Sequence, residues 1–306
     1  MGAYIVRRLI SSAFAAWATA SVIFGMTFLS GDPVALFTAG SFGTPEYVAR
    51  LRHALGYDLP ITEQYLRFLR GAIHGDLGNS LRWNQPAFPL VVERLPATLE
   101  LTVAAMFVAV AVAIPVGVFS AAQPRNVIAR ASMLLIFLAQ GIPLFWLGIM
   151  LVLVVSVELR LLPPSGRGGL ESLVLPAVTL AMYPLARIAR LTRSSLLDVI
   201  VEKYVTTARA KGLANKTVLY RHALKNAAIP ILTIVGLQLG SLFGGAVITE
   251  TIFAWPGVGM LSIQAIGDRD VPLVEAIVIT VSMLVIVLNF GIDLLYSYLD
   301  PRIRYS

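Results

Sequence analysis

The sequence predicts an all-α membrane protein, a bundle of six transmembrane helices with a helical segment on the outer side between the first and the second. Three observations predict it. Of 306 residues, 57% are hydrophobic and only 13% charged, whereas a soluble domain carries about a quarter charged residues. Six apolar runs recur, each long enough to cross about 30 Å of hydrocarbon as a helix. The basic residues gather on alternate connections between those runs.

The first run, 9–30, follows Arg7 and Arg8. Ala18-Thr19-Ala20 has the small-residue character of a signal-peptide cleavage site, but the apolar region of a signal stops at about 15 residues. Here it continues through Val22, Ile23, Phe24, Met26, Phe28 and Leu29, so the run reads as a span. Residues 31–97 mix turn signals (Gly31-Asp32-Pro33, Gly43-Thr44-Pro45, Gly75-Asp76) with amphipathic stretches over Tyr47 to Leu55 and Glu63 to Leu69, a pattern that predicts a small helical cap. The remaining spans are 98–122, 131–157, 173–191, 227–249 and 273–299. The fourth is the weakest, because Pro176 and Pro184 interrupt it and Arg187 and Arg190 stand at its end. Proline is tolerated in a span when neighbouring helices or water satisfy the freed carbonyl.

With six spans the connections alternate sides. Most of the 24 basic residues fall on one side: Arg7, Arg8, Arg125, Arg130, the series from Arg187 to Lys225, and Arg302 and Arg304. The positive-inside rule puts that side, and both termini, in the cytoplasm. The net charge of +7 is thereby used in topology, and no nucleic-acid partner is expected. Cysteine is absent, which excludes disulfides, iron–sulfur clusters, thiolate zinc sites and a cysteine nucleophile. His53 and His74 lack a third ligand at metal-site spacing, so no metal site or cofactor on this chain is expected.

The cytoplasmic segment 192–226 is basic, yet has apolar residues at Leu196, Leu197, Val199, Ile200, Val205 and Ala208. That spacing predicts short helices joined at Gly212. Two helices around a glycine make a rigid knob presenting small and basic residues to a partner; the plainer alternative is an amphipathic loop lying on anionic membrane lipid. Gly212-Leu213-Ala214-Asn215-Lys216-Thr217 ends in Lys-Thr but lacks the glycine spacing of a phosphate-binding loop, so the chain is not expected to hydrolyse ATP. The fifth span carries Gly236, Gly240 and Gly244 at intervals of four, a smooth strip for helix packing or for a pathway wall. Asp293 is an acid well inside a predicted span, near its basic end, where a structural partner is expected rather than a proton relay.

The cytoplasmic segment resembles the EAA motif of ATP-binding-cassette importer permeases. Tyr204-Val205-Thr206-Thr207-Ala208-Arg209-Ala210-Lys211-Gly212 has Thr206-Thr207-Ala208 in the place of Glu-Ala-Ala, and His222-x-Leu224 stands for the terminal apolar-x-Leu, with Lys225 replacing proline. Gly31-Asp32-Pro33, Gly75-Asp76-Leu77-Gly78-x-Ser80, Arg94-Leu95-Pro96-Ala97-Thr98-Leu99-Glu100-Leu101, Leu162-Pro163-x-Ser165-Gly166 and Asp293-Leu294-x-Tyr296-x-Tyr298-x-Asp300-Pro301-Arg302 follow in order along nearly the whole chain. Together they are similar to the B-type permease subunit of dipeptide and oligopeptide importers.

The resemblance implies the type I importer permease fold, a sister permease of similar fold, separate ATPase subunits that carry ATP and Mg2+, and an extracytoplasmic peptide-binding protein. It divides the chain into a first helix (1–30), an external segment (31–97) and a core (98–306) that includes the coupling loop 192–226. Related permeases carry nickel or glutathione-like solutes, so cargo within the family stays open. A stand-alone secondary transporter would show internal repeats or buried ion-pair chains, and a membrane enzyme would cluster His, Asp, Glu or Ser at one depth; the sequence displays neither.

Overall fold

The computed structural model describes residues 2–29, 33–38 and 44–299. The expected turns at Gly31-Asp32 and Gly43, and the terminal Asp300-Pro301-Arg302, lie outside the described residues. All regular elements among those described are helices. The chain divides into two compact units, one of residues up to 98 with 256–291, the other of 99–255 with the residues from 292.

In the first unit, α1 (Gly2–Leu29) is followed by α2 (Pro33–Thr38), α3 (Pro45–Leu55) and α4 (Ile61–His74). The cap expected between the first two spans is thus helical. Thr44 accepts from Tyr47 N at the start of α3, with Pro45 in the first helical position, where its missing N–H costs nothing. The helix stops at Gly56, φ +72°, a left-handed conformation that glycine adopts without a Cβ penalty. α4 lies on α1 through a Ser21–Tyr65 hydrogen bond of 2.6 Å and the packing of Phe24 on Tyr65 and Phe68. The helix α5 (Ala87–Ala122) begins in this unit and continues into the second.

The second unit continues α5 and adds α6 (Val127–Gln140), α7 (Leu144–Leu151, widened into a π-turn over Val152–Glu158) and α8 (Leu170–Ile200). It also holds α9 (Lys203–Ala210), α10 (Asn215–Thr217) and α11 (Leu224–Ile252). The first unit is completed by α12 (Val258–Gly267) and most of α13 (Val271–Leu299). There Ala87 and Val91 of α5 share one core with Val258, Leu261 and Ala265 of α12 and Leu273, Ala276 and Ile277 of α13.

Among the described residues, five helices are long and apolar enough to span a membrane. The third predicted run, 131–157, departs from expectation: it is two helices that meet at 107°. Gly141-Ile142-Pro143 causes the break. Pro143 has no N–H and disfavours helical geometry at Ile142; Gly141 N and Ile142 N close back on Leu138 O and Ala139 O, and the next helix starts with Leu147 N on Pro143 O.

The fourth run departs in the other direction. Despite Pro176 and Pro184, α8 is continuous for 31 residues and runs beyond residue 191 to Ile200. Both prolines are buried, held by neighbouring helices. Residues 192–200, expected in the loop, therefore belong to the span's own helix. Gly117 of α5 lets α8 approach so closely that a Cβ there would stand 2.7 Å from Thr192 Cβ and 2.8 Å from the Ala189 carbonyl oxygen.

Candidate functional site: a helical knob between two spans

Two residues after α8 ends, α9 turns the chain. Its pattern places Val205 and Ala208 inward, where with Val218 they form a small core against Val199. The outward face carries Tyr204, Thr206, Thr207, Arg209 and Ala210, all exposed, followed by exposed Lys211 and Gly212. Thr206 and Thr207 spend their hydroxyls within the helix, on Glu202 O and Lys203 O. The face they offer is small and neutral, flanked by cations.

Gly212 closes the turn after α9 with φ +78°, and its N–H donates to Arg209 O at 2.9 Å. No atom stands within 4 Å of where its Cβ would be, so the requirement for glycine is conformational, not steric.

The expected second short helix is not separate. From Asn215 the chain is one helical run through a π-turn at Val218–Ala223 into α11. His222 and Leu224 are half-buried in its first turns, and Leu224 packs on the core formed by Val118, Ala121, Leu196, Ala223, Ala227 and Ile231. Asn226 Nδ2 donates to the Tyr204 hydroxyl at 2.7 Å, tying α9 to α11. Displacing α9 therefore pulls on two long helices, α8 through a two-residue link and α11 through Val218 and Tyr204.

The glycine strip resolves into three environments. Gly236 is buried, Gly240 half-buried and Gly244 exposed, with open space around Gly244. Close approach occurs one residue on, at Gly245, where a Cβ would lie 3.0 Å from Leu180 Cδ1. Asp293 is half-buried.

Several polar residues escaped the sequence reading. Asp270 is fully buried: its carboxylate accepts from Ser80 Oγ at 2.5 Å, Arg82 N at 3.1 Å and Leu273 N at 3.2 Å, capping α13 and fastening the 76–86 loop. An aspartate just before Val271-Pro272 is the signal that would have located this cap. Glu275 bonds to Thr27 on α1, and Glu250 is fully buried. At the end of α3, His53 Nδ1 stands 2.6 Å from Asp58 and holds that carboxyl below its ordinary value. Among the described residues no three His, Asp or Glu are grouped as metal ligands.

A family model described as the binding-protein-dependent transport system inner membrane component matches residues 113–305, and its N-terminal companion matches residues 1–102. The chain belongs to this family. It is similar to the dipeptide transport system permease protein DppB of Escherichia coli (strain K12), 41% identical over 91% of each chain. The di/tripeptide permease of Pseudomonas aeruginosa (strain UCBPP-PA14) is 38% identical over 92% of this chain and 95% of that protein. A third relative, the dipeptide permease of Alkalihalophilus pseudofirmus, is 36% identical over the full length of both. Among solved structures, the inward-facing MetNI methionine ABC transporter aligns with a TM-score of 0.59 at 20% identity, over 69% of this chain and 96% of that one, which establishes the importer permease fold. The protein is a permease subunit of an ABC importer, embedded in the inner membrane by multiple helices.

Proposed function

We propose that this permease pairs with a second permease of like fold to form a path for short peptides, and that separate ATPase subunits drive it by docking on the knob at 203–226. The observation that carries the reading is the knob's construction. A small neutral face sits on its own core, joined rigidly to two long helices, so that a push on α9 tilts α8 and α11 together. Such a part converts closure of a partner into alternating access. Peptide cargo is supported by the full-length likeness to dipeptide and di/tripeptide permeases.

In this scheme both termini and the knob face the cytoplasm, as the distribution of basic residues favours. The helical segment within 31–97 faces outward to receive a peptide-loaded binding protein, residues 1–30 form the first span, and 98–306 form the core. ATP and Mg2+ belong to the ATPase chains, since the single Lys-Thr of this chain lacks the glycines that cradle phosphate.

The test is to purify the tagged chain from its native membrane, identify what accompanies it, and reconstitute the complex for uptake of labelled dialanine. The reading expects a second permease, ATPase subunits and ATP-dependent uptake. A stable complex without ATPase chains, or one that imports nickel but no peptide, overturns it.

A further inference from the structure

Arg187 is a half-buried cation within α8, about 20 Å from that helix's C-terminal end at 1.5 Å per residue. Its guanidinium stacks over the Tyr183 ring at 4.4 Å and donates to the Tyr183 hydroxyl. It also donates to Gln238 Oε1 of α11 at 3.3 Å. No carboxylate among the described residues pairs with it. Of its five N–H donors, only those two contacts occupy any, and both partners are neutral.

Gln238 is 3% exposed, and its Nε2 has no hydrogen-bond partner. The amide cannot be turned around to cure this, because its oxygen must face the guanidinium; a reversed amide would set donor against donor. The facing parts of α8 and α11 therefore hold together a positive charge with no carboxylate partner, a buried amide donor without an acceptor, and a tyrosine hydroxyl. Of the three, Tyr183 alone lines an adjoining cavity of about 270 Å³ bounded by Gln140, Leu144, Leu180, Ser241 and Gly245, beside the break between α6 and α7.

Spare donors around an unpaired cation are complementary to an anion with two acceptor oxygens. A half-buried cation without a carboxylate partner, on a helix long and apolar enough to span a membrane, is a candidate for contact with a passing solute. We infer that Arg187, Gln238 and Tyr183 form a carboxylate-binding subsite in the translocation path, which takes the C-terminal carboxylate of a passing peptide. The carboxylate is the one anionic group that all unmodified short peptides share, so the site accepts varied side chains while requiring the end group. This inference rests on the peptide reading above.

The experiment compares uptake of dialanine and dialanine amide by proteoliposomes containing the whole complex with one and the same binding protein. The readout is the acid-to-amide uptake ratio, so selectivity residing in the binding protein cancels between variants. Arg187→Gln should lower the ratio at least tenfold, and Gln238→Glu, which supplies an internal carboxylate to the guanidinium, should lower it similarly. Arg187→Lys should fall between, keeping the charge but losing the planar fork. Equal loss of both substrates at an unchanged ratio makes Arg187 a merely structural group and overturns the inference, as does an unchanged ratio in Gln238→Glu. Failure of the unmodified complex to take up either peptide refutes peptide cargo itself, and this inference with it.

Discussion

Replacing Gly212 separates a coupling knob from a passive connector. At φ +78° a side-chain-bearing residue is strained by about 1–2 kcal/mol, and nothing nearby crowds a Cβ. Gly212→Ala thus carries the conformational cost alone. Asn tolerates the left-handed region, so Gly212→Asn should be the mildest change. Proline is different in kind, because its φ is fixed near −65° and its nitrogen cannot donate to Arg209 O. That bond is worth about 0.5–1.5 kcal/mol, and the required rotation of φ prevents the turn from closing at all. A shift of about 1–2 kcal/mol changes the ratio of docked to undocked knobs by about 5–30-fold. The assay is ATP hydrolysed per peptide imported by the reconstituted complex. The series Asn, Ala, Pro should raise that ratio in order, with Gly212→Pro hydrolysing ATP without importing peptide. Normal uptake at normal ATP consumption by an inserted Gly212→Pro permease refutes the coupling role.

Other outcomes follow from the same structure. Asp270→Ala leaves three donors without their acceptor and should destabilise the first unit around α13 and the 76–86 loop by about 3–5 kcal/mol, the scale of breaking a buried charged contact; the midpoint of thermal unfolding in detergent and protease sensitivity of the 76–86 loop measure it. Gly117→Ala drives a methyl group against Ala189 O and Thr192 and should cost about 1–3 kcal/mol, whereas Gly244→Ala, with open space around it, should leave the thermal midpoint of the isolated chain unchanged or raised. Lys216→Ala alters an exposed cation, worth about 0–1 kcal/mol, and should retain most uptake. A single cysteine at Asn215, in a chain that has none, should react with an impermeant thiol reagent only from the cytoplasmic side; labelling from outside contradicts the topology.

The bundle was legible in the sequence because a membrane imposes one requirement, about 20 apolar residues per helix, that composition displays directly. The helical cap was legible through the amphipathic stretches and the turn signals Gly43-Thr44-Pro45 and Gly75-Asp76 that bracket them. What composition could not reveal was continuity. Pro143 breaks a helix while Pro176 and Pro184 do not, since the outcome turns on whether neighbouring groups satisfy the freed carbonyl and on Gly141 beside Pro143. For the same reason the helix that carries Arg187 extends past residue 191 to Ile200. In the knob, residue identities pointed to the segment. The burial of Ala208 and the Tyr204–Asn226 tie depend on how α9 folds back on α11, which linear spacing does not encode. The buried Asp270 and the half-buried Glu275 look like ordinary loop or helix-end charges until Ser80 and Thr27, from distant elements, are in place beside them.

The central claim is that this permease moves peptide only when an ATPase pushes on its knob. The direct measurement is peptide accumulation in proteoliposomes carrying both permeases, with the binding protein outside and ATP enclosed, with and without the ATPase subunits. The account predicts accumulation and ATP hydrolysis only when the ATPase subunits are present, and neither from this chain alone. Peptide accumulation without them, or nucleotide turnover by the purified chain, contradicts it.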